Sequence, residues 1–150
     1  MESALNRSFL FLWLISVSLF FILGVLSLQF EIYRWFPAFG FIGYSILLLL
    51  LLTTLSRACL KWHYIAISGT LILFGAVVSL DIVVSKEAII ADLAALEVEG
   101  LRTVISDPVM VDNYVNILVV LLNIFTSSVA GNALFYGLNS RNFQENNSVV

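Results

Sequence analysis

The sequence is poor in charge: 11% of its 150 residues are Asp, Glu, Lys or Arg, whereas 61% are hydrophobic. A soluble domain of this length needs a charged surface, so the composition excludes an ordinary soluble protein. The net charge of −3 is unfavourable for binding a polyanion, so we expect no direct contact with nucleic acid. The apolar residues also form long runs of about 20, which match the hydrocarbon thickness of a bilayer. We therefore interpret the chain as an integral membrane protein in contact with the lipid bilayer.

Cysteine and histidine are almost missing. The single cysteine, Cys59, excludes an internal disulfide, and the single histidine, His63, excludes a histidine-based metal cluster. No phosphate-cradling glycine loop, H-E-x-x-H or G-x-S-x-G motif occurs. We expect no cofactor, no metal and no enzymatic activity.

Apolar runs cover residues 9–28, 37–55, 64–84 and 114–138, and no proline interrupts them, since Pro37 stands at the first position of its run. Alternating strand patterns are absent, which excludes a β-barrel reading of these runs. The sequence predicts an all-α fold: one membrane domain over residues 1–150, built as a bundle of four transmembrane helices with a short C-terminal tail at 139–150.

The segment 85–113, between the third and fourth runs, has the apolar spacing of an amphipathic helix. Two interpretations stay open: a helix lying across the outer mouth of its own bundle, or a surface that faces an extracytoplasmic partner or another copy in an oligomer. Membrane-surface helices usually carry Lys or Arg on the polar face, so an acidic face is a poor lipid anchor. The acidic residues of this predicted helix are Glu87, Asp92, Glu97 and Glu99.

The short loop at 56–63 is basic, with Arg57 and Lys61, whereas residues 85–113 hold six acidic and two basic residues. Because Lys and Arg are retained on the cytoplasmic side, this pattern predicts that both termini are cytoplasmic and that 85–113 is extracytoplasmic. We expect the protein to lie in the inner membrane of a bacterium.

The fourth run carries an unusual number of polar side chains. At about 100° per residue they gather in one stripe about 100° wide, while Leu121 and Leu122 fall on the far side. Gathered polar groups are expected to face protein or water, either as a hydrogen-bonded packing seam or as a water pathway. The third run offers a matching face of small residues at Ser68, Gly75 and Ser79. The stripe consists of Asp112, Asn116, Asn123, Thr126 and Ser127.

Asp81 lies near the end of the third run, on a different face from the small residues, and is a candidate site at the outer face. An ionisable residue in a span is a functional candidate, and this one is predicted to reach interfacial water. Asp81 and Asp112 are predicted at the same membrane face, where two carboxylates in contact can share a proton. The chain is similar to lipoprotein signal peptidases in size and number of spans, but V-D-N-Y and the absence of G-N-x-x-D-R argue against that activity.

These features predict a non-enzymatic, oligomeric sensor or scaffold subunit that couples the membrane or an extracytoplasmic event to a partner protein at either face. In general build the chain resembles membrane subunits of bacterial defence complexes, such as those of the Kiwa type. It equally resembles immunity proteins against membrane-acting toxins. The third possibility is a small channel or holin-like pore, lined by Asn116, Asn123 and Ser127.

Overall fold

The computed structural model describes residues 2–30, 37–95 and 107–139, and these ranges contain helices and no strands. The all-α prediction is therefore confirmed for them. The helices are α1 (Glu2–Phe30), α2 (Pro37–Ser56), α3 (Lys61–Val84), α4 (Lys86–Ala95) and α5 (Pro108–Leu138).

Three of these helices are long and apolar enough to cross a membrane: Asn6–Ser27 in α1, Lys61–Val84 in α3 and Val109–Leu138 in α5. Since a helix rises about 1.5 Å per residue, about 20 residues span the hydrocarbon core. The apolar stretch of α2, Gly40–Ser56, is shorter. The prediction of a membrane protein with transmembrane helices is thus supported by length and composition.

Helix α3 lies at the centre of the bundle, with α5 packed along one side and α1 and α2 on others. Ser68 contacts Ala130 and Ser79 contacts Asn123, so α3 and α5 run antiparallel. The interior is filled by apolar side chains that are 0–2% exposed. The largest of them are Phe9, Leu47, Leu51, Ile67, Leu71 and Phe74.

Large apolar side chains also cover the outside of the bundle. Phe21 is 72% exposed and Leu49 is 64% exposed, and many other large apolar side chains are similarly open. A soluble protein with so large an apolar surface would aggregate, whereas lipid tails are a compatible solvent for it.

Helix α5 begins at Asp107, which is its N-cap. The Asp107 carboxylate accepts hydrogen bonds from the backbone N–H groups of Val109 (3.0 Å) and Met110 (3.4 Å). Pro108 follows at the first helical position, where its missing N–H costs nothing. The helix therefore starts before the predicted fourth run at residue 114, and residues 108–113 belong to α5.

Ser85 separates α3 from α4 as a single turn residue. Its backbone N–H donates to the Asp81 carbonyl (2.9 Å), and its carbonyl accepts from Ile89 N–H (3.1 Å). Ile89 is 6% exposed and belongs to the core. The start of α4 is consequently anchored to the end of α3.

Candidate functional site

Asp81 is buried at the α4 end of the bundle, where its side chain is 1% exposed. One carboxylate oxygen, Oδ2, accepts hydrogen bonds from Ser27 Oγ of α1 and from Tyr44 Oη of α2 (2.7 Å). A single oxygen atom of α3 thus holds two neighbouring helices.

The sequence placed Asp81 within reach of interfacial water, and the structure encloses it in protein instead. The reason is that both α1 and α2 close over this face of α3. Thr70, which falls on the same face of α3 as Asp81 at about 100° per residue, accepts a hydrogen bond from the Trp13 indole of α1 (3.1 Å). The polar side chains on this face therefore form hydrogen bonds with side chains of α1 and α2.

Asp112 occupies a different environment at the same end of the bundle. Its exposed carboxylate forms an ion pair with Lys86, the first residue of α4. This contact joins the start of α4 to the first turns of α5. Asp81 and Asp112 thus have separate partners, and no hydrogen bond between them occurs in the described part of the chain.

Small residues and neutral hydrogen bonds form the contact between α3 and α5. Asn123 Nδ2 donates to Ser79 Oγ (2.8 Å), and Ser68 Oγ donates to the Ala130 carbonyl (2.6 Å). Gly75 lies against Thr126 so closely that a Cβ at position 75 would overlap the threonine hydroxyl. The two backbones can approach because small side chains occupy the seam.

The predicted stripe of the fourth run is divided by this contact. Asn123 and Thr126 lie at the α3–α5 seam, where Thr126 is 1% exposed, whereas Asp112, Asn116 and Ser127 are exposed. Asn116 and Ser127 fall at one edge of the stripe, beyond the arc that faces α3, and Asp112 lies in the first turns of α5 at the end of the bundle. Part of it is therefore left on the outside of the single chain.

The acidic segment is described only at its beginning. Glu87 is exposed on α4. The side chain of Asp92 and the whole of Glu97 and Glu99 lie outside the described residues. The surface predicted to face a partner is represented here by Glu87 alone.

His63 forms a cluster that the sequence interpretation missed. Its Nδ1 accepts from the backbone N–H groups of Cys59 (3.2 Å) and Leu60 (3.4 Å), so Nε2 carries the proton and donates to Asn6 Oδ1 (2.9 Å). The ring stacks on Phe9 with centroids 3.7 Å apart. A histidine in the first turn of a helix was the available signal, because N–H groups there need acceptors.

The described residues contain no group of three His, Cys, Asp or Glu side chains that could hold a metal ion. No family model, curated protein or solved structure shows significant similarity to the chain. Its function must therefore be argued from its own geometry.

Proposed function

We propose that the chain is a non-enzymatic integral membrane subunit, an oligomeric sensor or scaffold that couples events at one membrane face to a partner protein. The observation that carries this proposal is the set of polar links at the α4 end of the bundle. Asp81 joins α3 to α1 and α2, and Lys86 joins α4 to α5. A displacement of α4 would therefore be passed to α3 and α5 directly, and through Asp81 to α1 and α2.

The path of α2 supports four membrane spans in this proposal. Tyr44, near the start of α2, bonds to Asp81, while Ala58, just after α2, accepts a hydrogen bond from Tyr64 near the start of α3. Helix α2 therefore runs the length of the bundle beside α3. Its 20 residues correspond to about 30 Å, the thickness of the hydrocarbon core.

The segments that meet at each end of the bundle support an orientation with both termini in the cytoplasm. Asn6 bonds to His63, and Gly137 lies against Tyr64, so the N-terminal part of α1, the loop before α3 and the end of α5 gather at one end. Arg57 in that loop and Lys61 at the start of α3 place two basic residues at this end, which favours the cytoplasmic side of a bacterial inner membrane. A thiol introduced by Glu87→Cys in a Cys59→Ser background should react with an impermeant reagent from outside; labelling only after permeabilisation would reverse the orientation.

The separate partners of the two aspartates support a role other than proteolysis. A proton-sharing pair requires the carboxylates to lie in contact. Here Asp81 accepts from hydroxyl groups inside the bundle, and Asp112 binds Lys86 at the surface. The two carboxylates therefore stabilise different contacts between helices.

A pore is the second candidate, favoured by the exposure of Asn116 and Ser127 on a membrane helix. Against it, Lys86 neutralises Asp112, the acidic residue at the head of the stripe. Channel entrances that select cations usually present an unneutralised ring of carboxylates. The scaffold is therefore the better-supported function.

Two measurements test this proposal: purification from native membranes in a mild detergent with quantification of retained proteins, and current recording after reconstitution in planar bilayers. We expect a discrete oligomer that retains a stoichiometric partner and carries no unitary current. Asp112→Asn should leave that assembly intact. Reproducible cation currents whose selectivity falls in Asp112→Asn would replace the scaffold by the pore.

A further inference from the structure

One side of α5 is left uncovered by the rest of the described chain. Asn116, Val120, Ser127 and Gly131 are exposed there and fall within an arc of about 60° at 100° per residue. We call these four residues the α5 outer face. The opposite side of α5 lines an apolar groove toward α2 through Leu118 and Leu121.

The chemistry of the α5 outer face is unsuited to lipid. The Asn116 amide makes no hydrogen bond to any residue that the structure describes. It lies about 10 Å along the helix from Asn123, near the middle of α5, and hence inside the hydrocarbon layer of a centred span. Lipid tails cannot satisfy an amide, so this group needs a protein or water partner.

We propose that the α5 outer face binds the same face of a second copy of this chain, with the two α5 helices parallel about a two-fold axis along the membrane normal. This inference rests on the oligomeric role proposed above and names its interface. Copies inserted in the same orientation place equal residues at equal depth. An amide carries both donors and an acceptor, so Asn116 can pair reciprocally with its own copy.

The neutralised charge at Asp112 and the small side chains of the α5 outer face both favour a second copy of the chain as the partner. The acidic residue at the head of the stripe, Asp112, is already paired with Lys86, so two copies do not bring unneutralised carboxylates together. A Cβ at Gly131 would meet no atom within 4 Å, so the helix surface is open at that point. Ser127 and Gly131, four residues apart, form the small-residue spacing that lets two membrane helices approach closely.

Disulfide trapping in native membranes tests the face directly. In a Cys59→Ser background, Ser127→Cys should form a covalent dimer on mild oxidation. Leu121→Cys is the matched control, since Leu121 lies on the same helix, is 59% exposed and points toward the α2 groove. Dimer from Leu121→Cys but not from Ser127→Cys would overturn the proposed face.

Subunit counting by single-molecule photobleaching in lipid bilayers gives the strength of the contact. Asn116→Leu should weaken the dimer about tenfold, as expected for loss of a hydrogen bond between membrane helices, while Asn116→Gln should restore most of it. An unchanged dimer in Asn116→Leu would contradict the amide pairing.

The same counting separates this inference from the proposed function. A monomer that still retains a stoichiometric partner would overturn the interface and leave the coupling role standing. A monomer without a partner would overturn both. An oligomer that cross-links only through Leu121→Cys would overturn the interface alone.

Discussion

Helix α3 meets its neighbours in two different ways. Toward α5 it presents Ser68, Gly75 and Ser79, which allow a close approach and make neutral hydrogen bonds. Toward α1 and α2 it presents Phe74 and Asp81, so that bulk fills the core and one carboxylate holds two hydroxyl groups. The first contact depends on shape and the second on a single acceptor, so different substitutions should break them.

The largest loss of stability is expected when Asp81, the acceptor that joins α3 to α1 and α2, is replaced. Asp81→Ala leaves the Ser27 and Tyr44 hydroxyls without that acceptor, and each buried unsatisfied group costs about 1–3 kcal/mol. Thermal unfolding in detergent, followed by tryptophan fluorescence, should show a large loss of stability. Asp81→Asn is the control because its amide oxygen still accepts. If both variants lose stability equally, the negative charge and not the acceptor holds these helices.

The contact that depends on shape should fail when a methyl group is added. Gly75→Ala brings Cβ within 3.2 Å of Thr126 Cβ and overlaps the hydroxyl, so the helices must separate, at a cost of about 1–3 kcal/mol. Gly69→Ala is the matched control on the same helix, since no atom lies within 4 Å of a Cβ there. It should be neutral or stabilise by up to about 1 kcal/mol, because alanine favours helix. Equal melting temperatures for the two variants would mean that α5 is not held closely against α3.

The smallest effect is expected for the hydrogen bond across the same seam. Asn123→Leu removes the donor to Ser79, and such bonds between membrane helices contribute about 0.6–2 kcal/mol. Leu121→Ala is the better control than Leu122→Ala, because Leu122 packs partly against the core although the wheel placed it toward lipid. Detergent unfolding curves of both variants compare the two positions. If the two variants unfold alike, the hydrogen bond between Asn123 and Ser79 does not stabilise the contact between α3 and α5.

The sequence predicted which residues of α3 and the fourth run belong together, because a helix repeats every 3.6 residues and so sorts side chains into faces. Ser68, Gly75 and Ser79 fall on one face by this rule, and all three contact α5 in the structure. The rule does not say how wide an arc the neighbour covers. Helical periodicity could therefore not predict that Thr126 is buried while Asn116 and Ser127 of the same stripe are exposed.

Composition and the length of the apolar runs determined that this protein is helical and apolar enough for a membrane, since both are properties of the local sequence. Only the tertiary structure decided the environments of its polar groups. Asp81 is enclosed because α1 and α2 both pack over it, and His63 is buried because Asn6 and Phe9 of α1 lie against its ring. Burial of a polar group depends on which helices surround it, and residues distant in the sequence supply those helices.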